Sequence, residues 1–250
     1  MLSSSDAPLS IAAGHLMASG GGPSPLWYTT RATGVVALIL LTLTVAFGVA
    51  GTARYSSEPL PRMVSAGLHR NLSLLTVAFV ATHIATTLAD PFVNIGIVSA
   101  FVPFTSSYRP FWLSLGAIAF DLLLALVITS LLRTRLSYRA WRAIHWLAYA
   151  SWPIALWHGL GTGTDTKLPW MLALDAACIV VVAGAVWWRL TLVDPPGRTI
   201  GTAITAAVVI ATVAFVAIGP LQHGWARKAG TPQASAMQAP VRAVHPGSAP

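Results

Sequence analysis

Residues 141–158 read WRAIHWLAYASWPIALWH. The run is apolar and rich in tryptophan, and it carries an imidazole near each end, His145 and His158, thirteen residues apart. A second run, residues 68–90, reads LHRNLSLLTVAFVATHIATTLAD and holds His69 and His83, fourteen apart. Ionisable side chains in hydrocarbon are costly, so four of them on two membrane-type segments at nearly equal spacing call for a functional account. Hydrogen bonding between neighbouring helices explains one such histidine more easily than four.

Outward from these two runs the composition is that of a polytopic membrane protein. The 250 residues are 55% hydrophobic and 9% charged, with a positive mean hydropathy; soluble chains carry roughly 25% charged residues. The net charge of +8 does not indicate nucleic acid, because the arginines cluster in short segments between apolar runs, where they report topology. The single Cys178 excludes an internal disulfide and a cysteine-based metal or iron–sulfur site. No basic stretch precedes an apolar one near the start, so no cleavable signal peptide is expected.

Six apolar segments, at about 28–51, 67–89, 111–133, 140–160, 168–190 and 199–220, approach the ~20 residues a helix needs to cross the bilayer. Open sheets cannot satisfy their backbone in lipid, so the expected fold is all-α, a bundle of six transmembrane helices over residues 27–220. Residues 1–26, rich in Ser, Gly, Ala and Pro, are expected to be a flexible segment, and residues 221–250 a disordered tail.

Orientation follows from the basic residues. Arg54, Arg62, Arg70, Arg133, Arg135, Arg139, Arg142, Arg189 and Arg198 fall in one set of connections, against Arg31, Arg109, Lys167, Arg227, Lys228 and Arg242 on the other side. The positive-inside rule then places both termini outside the cytoplasm and makes the second and fourth spans parallel. His69 and His145 lie near the cytoplasmic ends, and His83 and His158 lie about 21 and 20 Å further out. Azimuth is less obliging: thirteen residues at about 100° each miss the starting face by about 140° on an ideal helix. Pro153, between His145 and His158, is expected to kink or rewind the segment.

Two helices, two levels and four imidazoles imply bis-imidazole ligation of two b-type haems, His69 with His145 and His83 with His158. No CxxCH is present, so thioether attachment is not expected. On these histidines, on RPFWLSLGAIAFDLLL at 109–124, TSLLR at 129–133 and WRAIHW at 141–146, the sequence resembles the ferric reductase-like transmembrane domain family. That family includes the membrane portion of NADPH oxidases and the haem subunit of a periplasmic methionine sulfoxide reductase. The resemblance runs from about residue 27 to 188. It implies a cytochrome b that moves electrons from a cytoplasmic-side haem to an outer one and on to an extracytoplasmic acceptor, ferric iron being the family's default. A separate extracytoplasmic reductase, such as a methionine sulfoxide reductase, is the alternative acceptor.

Many relatives continue into a flavin and nicotinamide domain. Here DPPGRT at 194–199 leads into a further apolar span, and a GTGTD loop at 161–165 stands in place of any GxGxxG, so no FAD or NADPH site is expected. The donor is then a separate flavoprotein reductase or a membrane quinol, and the chain is a ferric reductase-like oxidoreductase component without catalytic residues of its own. Its surroundings are membrane lipid, not nucleic acid.

Arginines pair well with haem propionates, because a guanidinium holds a carboxylate by two parallel hydrogen bonds. Arg70, Arg139 and Arg142 flank the cytoplasmic level and Arg31 the outer one, although membrane anchoring accounts for the first three equally well. Asp121 and Asp175 are intramembrane carboxylates, expected to pair with a cation such as Arg31 or to carry a proton. The Gly-rich loop with Asp165 and Lys167 is expected to cap the outer haem edge. Trp146, Trp152 and Trp157 read as packing and anchoring residues, and His15, His223 and His245 show no metal-ligand spacing. A reading from another class is a haem-free transporter or scaffold, but no internal repeat supports it.

Overall fold

A computed structural model describes residues 24–52, 62–90, 95–163 and 165–225. Residues 1–23 and 226–250, which make up most of the expected flexible segment and tail, lie outside the described residues. Among the described residues seven α-helices run in chain order: α1 (Pro25–Thr52), α2 (Arg62–Ala89), α3 (Pro110–Leu131), α4 (Tyr138–His145), α5 (Ala148–Thr162), α6 (Pro169–Thr191) and α7 (Pro195–Ile218). Short 3-10 turns lie at Ile97–Ala100 and Arg133–Arg135, and no strand occurs among the described residues. Helices α1, α3, α6 and α7 each begin on a proline, which suits the first helical position because its missing N–H would have no partner there. Ser24 caps α1 by accepting the Trp27 N–H at 3.0 Å, and Ser137 caps α4 by accepting that of Ala140 at 3.2 Å.

Among the described residues five helices, α1, α2, α3, α6 and α7, are long and apolar enough to cross a membrane. The fourth expected span is instead divided into the eight-residue α4 and the fifteen-residue α5. At the joint the backbone closes shorter rings: Leu147 N–H bonds Ile144 O at 2.9 Å, Tyr149 N–H bonds Trp146 O at 3.1 Å and Ala150 N–H bonds Leu147 O at 3.0 Å. These three-residue bonds wind the chain more tightly than an α-helix. The joint therefore frees the direction of His145 from that of His158, the task assigned above to Pro153. Pro153 sits further on, inside α5.

Packing centres on α1, α5 and α6, where Val45, Trp152, Leu156, Leu160, Cys178 and Val182 form a buried cluster. Lipid is as apolar as these side chains, so shape and interhelical hydrogen bonds choose the neighbours. Trp152 Nε1–H donates to Thr42 Oγ1 at 2.9 Å between α5 and α1. Trp157 Nε1–H donates to Thr212 Oγ1 at 2.8 Å between α5 and α7. Thr30 donates to Thr86 at 2.8 Å between the antiparallel α1 and α2. Large apolar side chains such as Val180, Ile204 and Ile210 are left exposed, as contact with lipid requires.

Candidate metal centre

The four histidines meet in two pairs. His69 of α2 faces His145 of α4, and His83 of α2 faces His158 of α5, with ring centroids 6.3 Å apart in both pairs and ring planes crossed at 73° and 87°. An imidazole nitrogen binds a transition metal at about 2.0 Å and lies about 1.1 Å from its ring centre, so two rings on opposite sides of one iron have centroids about 6.2 Å apart. Both pairs have that separation.

Three of the rings are seated in the same way. His83 lies against Gly34, where a Cβ would come within 3.0 Å of the ring, and its Nδ1–H donates to Thr30 O at 2.8 Å. His69 lies against Gly48 with a corresponding distance of 3.1 Å and donates to Thr44 O at 2.9 Å. His158 lies against Gly116, where a Cβ would fall 2.5 Å from the ring, and donates to Trp112 O at 2.9 Å. In each case the accepting carbonyl stands four residues before the glycine, so one helical turn provides both a notch and an acceptor. A carbonyl can only accept, which fixes the proton on Nδ1 and leaves the Nε2 lone pair free for a metal.

His145 differs. Its Nδ1 is buried without a hydrogen-bond partner, and the ring stacks on Trp141 at 4.8 Å and 23°. Trp141 in turn lies under the Arg133 guanidinium at 4.9 Å. Fourteen residues beyond Gly116, the spacing that separates the two notches of α1, α3 carries Ser130 instead of a glycine.

A cavity of about 300 Å³ lies at the His83–His158 pair, and its walls include Thr30, Arg31, Gly34, Gly116 and Tyr108. Arg31, expected at this level, lines it, but its carboxylate partner is Asp165 at 2.7 Å, not Asp121 or Asp175. The guanidinium also stacks over Trp27 at 4.4 Å. Burial pushes the Tyr108 phenol up, against a smaller downward pull from Arg109 and Arg31, so it stays protonated at neutral pH. Asp175 is buried and also lines the cavity. At the other end, Arg139 and Arg142 line a shallow recess with Tyr138 and Trp146, and Arg70 is exposed. Trp152 and Trp157 serve the packing bonds described above. His223 is exposed in the turn after α7, while His15 and His245 lie outside the described residues.

No group of three or more His, Cys, Asp or Glu side chains converges among the described residues. Two opposed imidazoles complete an iron site only when a planar macrocycle supplies the other ligands; the ring separation suits such a group in both pairs, and an open cavity lies at the His83–His158 pair. The glycine notches are absent from the reading of the sequence above. Their signal was present, since Gly34 and Gly48 are spaced as His69 and His83 are.

The fold and the paired imidazoles define a multi-pass helical membrane protein with two candidate iron-binding levels. Residues 33–156 match the family described as ferric reductase like transmembrane component, which supports the resemblance to a ferric reductase-like transmembrane family. The chain is also 29% identical, over 178 residues, to the heme-binding subunit of a protein-methionine-sulfoxide reductase from Ralstonia nicotianae, a match covering 67% of this chain and 74% of the relative. No solved structure matches.

Proposed function

We propose that the chain is a membrane dihaem cytochrome b that carries single electrons outward and hands them to a separate extracytoplasmic reductase. The carrying observation is the pair of imidazole clamps, each with centroids 6.3 Å apart, on the two levels set by His69 and His83. The levels are separated by about 21 Å of rise along α2. Bound haem would supply one-electron redox chemistry at each level. His69 and His145 would hold the cytoplasmic-side haem, and His83 and His158 the outer one. The backbone carbonyls of Thr44, Thr30 and Trp112 orient three of these ligands and make them better electron donors. Arg31 at the outer level, and Arg70, Arg139 and Arg142 at the inner, are the proposed propionate partners.

In this reading α4 and α5 together make one crossing, which with the five long helices gives six spans and both termini on one side of the membrane, the outside by the distribution of Lys and Arg. The electron donor is a separate flavoprotein reductase or a quinol. The likeness to a heme-binding subunit of a methionine-sulfoxide reductase favours delivery to a partner enzyme over direct reduction of ferric iron. Purified protein should contain two extractable b-type haems per chain. Haem in the membrane-bound protein should be reoxidised by an oxidised partner reductase faster than by ferric chelate. Absence of haem would sink the reading, and faster reoxidation by ferric chelate would return the acceptor to iron.

A further inference from the structure

Arg109 joins three parts of the chain at the His83–His158 end. Its Nη1 donates to Gly161 O in the last turn of α5, its Nη2 donates to Trp225 O at 2.7 Å, and its guanidinium lies 4.9 Å from the centre of the Trp225 ring. Its backbone is left-handed, with φ 38° and ψ 60°, immediately before Pro110. A residue ahead of proline is ordinarily driven to extended conformations, and a positive φ is uncommon outside glycine. Such a conformation persists where the surroundings over-determine it. Two carbonyls and an aromatic face do so here.

The place of these contacts relative to His158 gives them meaning. Gly161 follows His158 by three residues on α5, and Arg109 precedes Trp112 by three at the start of α3. The bond from Arg109 to Gly161 and the bond from His158 to Trp112 are therefore successive rungs between the same two helices. The Trp112 ring occupies the space beside Gly161 where a Cβ would collide with it, and it lies 4.5 Å from Phe215 of α7 and 6.2 Å from Trp225. Gly161 O belongs to the last turn of α5, whose carbonyls lack helical donors and carry the negative end of the helix dipole, so a guanidinium is well matched to it.

We propose that Arg109 is a positioning residue for His158. By setting the separation and rotation of α3 and α5 it keeps the Trp112 carbonyl within reach of His158 Nδ1, and it makes the turn after α7 part of the support of that ligand. The inference rests on the reading of His158 as an axial haem ligand.

The test compares full-length Arg109→Lys, Arg109→Ala and Trp225→Ala with the parent protein, reading haem content, ferric spin state and the rate at which carbon monoxide binds the reduced haems. Carbon monoxide reaches the iron only when an axial imidazole lets go. Loss of a charged hydrogen-bond pair in Arg109→Ala should raise that rate about tenfold at one haem of the two, with the other unchanged as an internal control of folding. Arg109→Lys, which keeps the charge but not the two-pronged geometry, and Trp225→Ala should raise it less at the same haem. Where Arg109→Ala does not accumulate, Arg109→Lys decides alone. Unchanged rates at both haems, or equal loosening of both, would overturn the inference. A parent protein without haem would instead overturn the functional reading, a distinguishable result.

Discussion

The imidazole of His158 and Gly116 of the neighbouring helix are in contact so close that a methyl group on the glycine would lie 2.5 Å from the ring. A Cβ contact under about 3 Å forces something to move, and His158 is held against that same helix by its bond to Trp112 O, one turn before the glycine. The glycine is thus a condition of the imidazole's position.

Substitution of the three notch glycines by alanine should therefore be graded. Gly116→Ala is expected to reduce the haem bound at the His83–His158 level most severely, while Gly34→Ala and Gly48→Ala, with clearances of 3.0 and 3.1 Å, should be milder. Haem-to-protein ratios of the three variants check this, and equal losses at all three sites would contradict it.

Replacing single histidines should sort them into two groups. His83→Ala and His158→Ala should each lose the same haem, and His69→Ala and His145→Ala the other, because the rings meet in those pairs. Combining His83→Ala with His158→Ala should cost no further haem, since partners of one site do not act additively. Spectra of the singly loaded proteins would distinguish the two groups, and a mixed pairing would break the two-level arrangement.

The Arg31–Asp165 ion pair should contribute little to stability. Its side chains are 22% and 37% exposed, so solvent screens the attraction, and Asp165→Asn is expected to cost on the order of 0.5 kcal/mol. Thermal unfolding of haem-free protein in detergent reads this; a loss of several kcal/mol would show that the pair is more than a surface contact.

The Trp152–Thr42 hydrogen bond should matter more, because both side chains are buried. Interhelical hydrogen bonds in membranes contribute about 0.6 kcal/mol on average and up to about 1.7, and a fully buried indole belongs towards the upper end. Trp152→Phe should thus cost about 1 to 1.5 kcal/mol, and Trp157→Phe, whose indole is only partly buried, nearer 0.6. A reversed order on unfolding in detergent would contradict this ranking.

Much of the candidate site was legible in the residues. His69 and His83 sit one above the other because fourteen residues nearly close four helical turns, and their partners follow from equal depth on parallel segments. Local backbone chemistry hid two features. The division of residues 141–158 into α4 and α5 has no proline or glycine at the joint, only Trp146 and Leu147, so the break shows in the three-residue hydrogen bonds and not in the composition. The partner of Arg31 was also hidden: the apolar surroundings of Asp121 and Asp175 drew attention to them, while the cation pairs with Asp165 in a loop.

What the sequence determined by itself was the all-helical membrane class, the four imidazoles and their order in depth. These depend on hydropathy and on rise per residue, which are properties of single segments. The glycine notches, the carbonyl acceptors, the unpartnered Nδ1 of His145 and the reach of Arg109 to Gly161 and Trp225 were decided only by tertiary structure. Each of these depends on which faces of two helices meet and at what rotation, and that is set by packing between segments far apart in the chain.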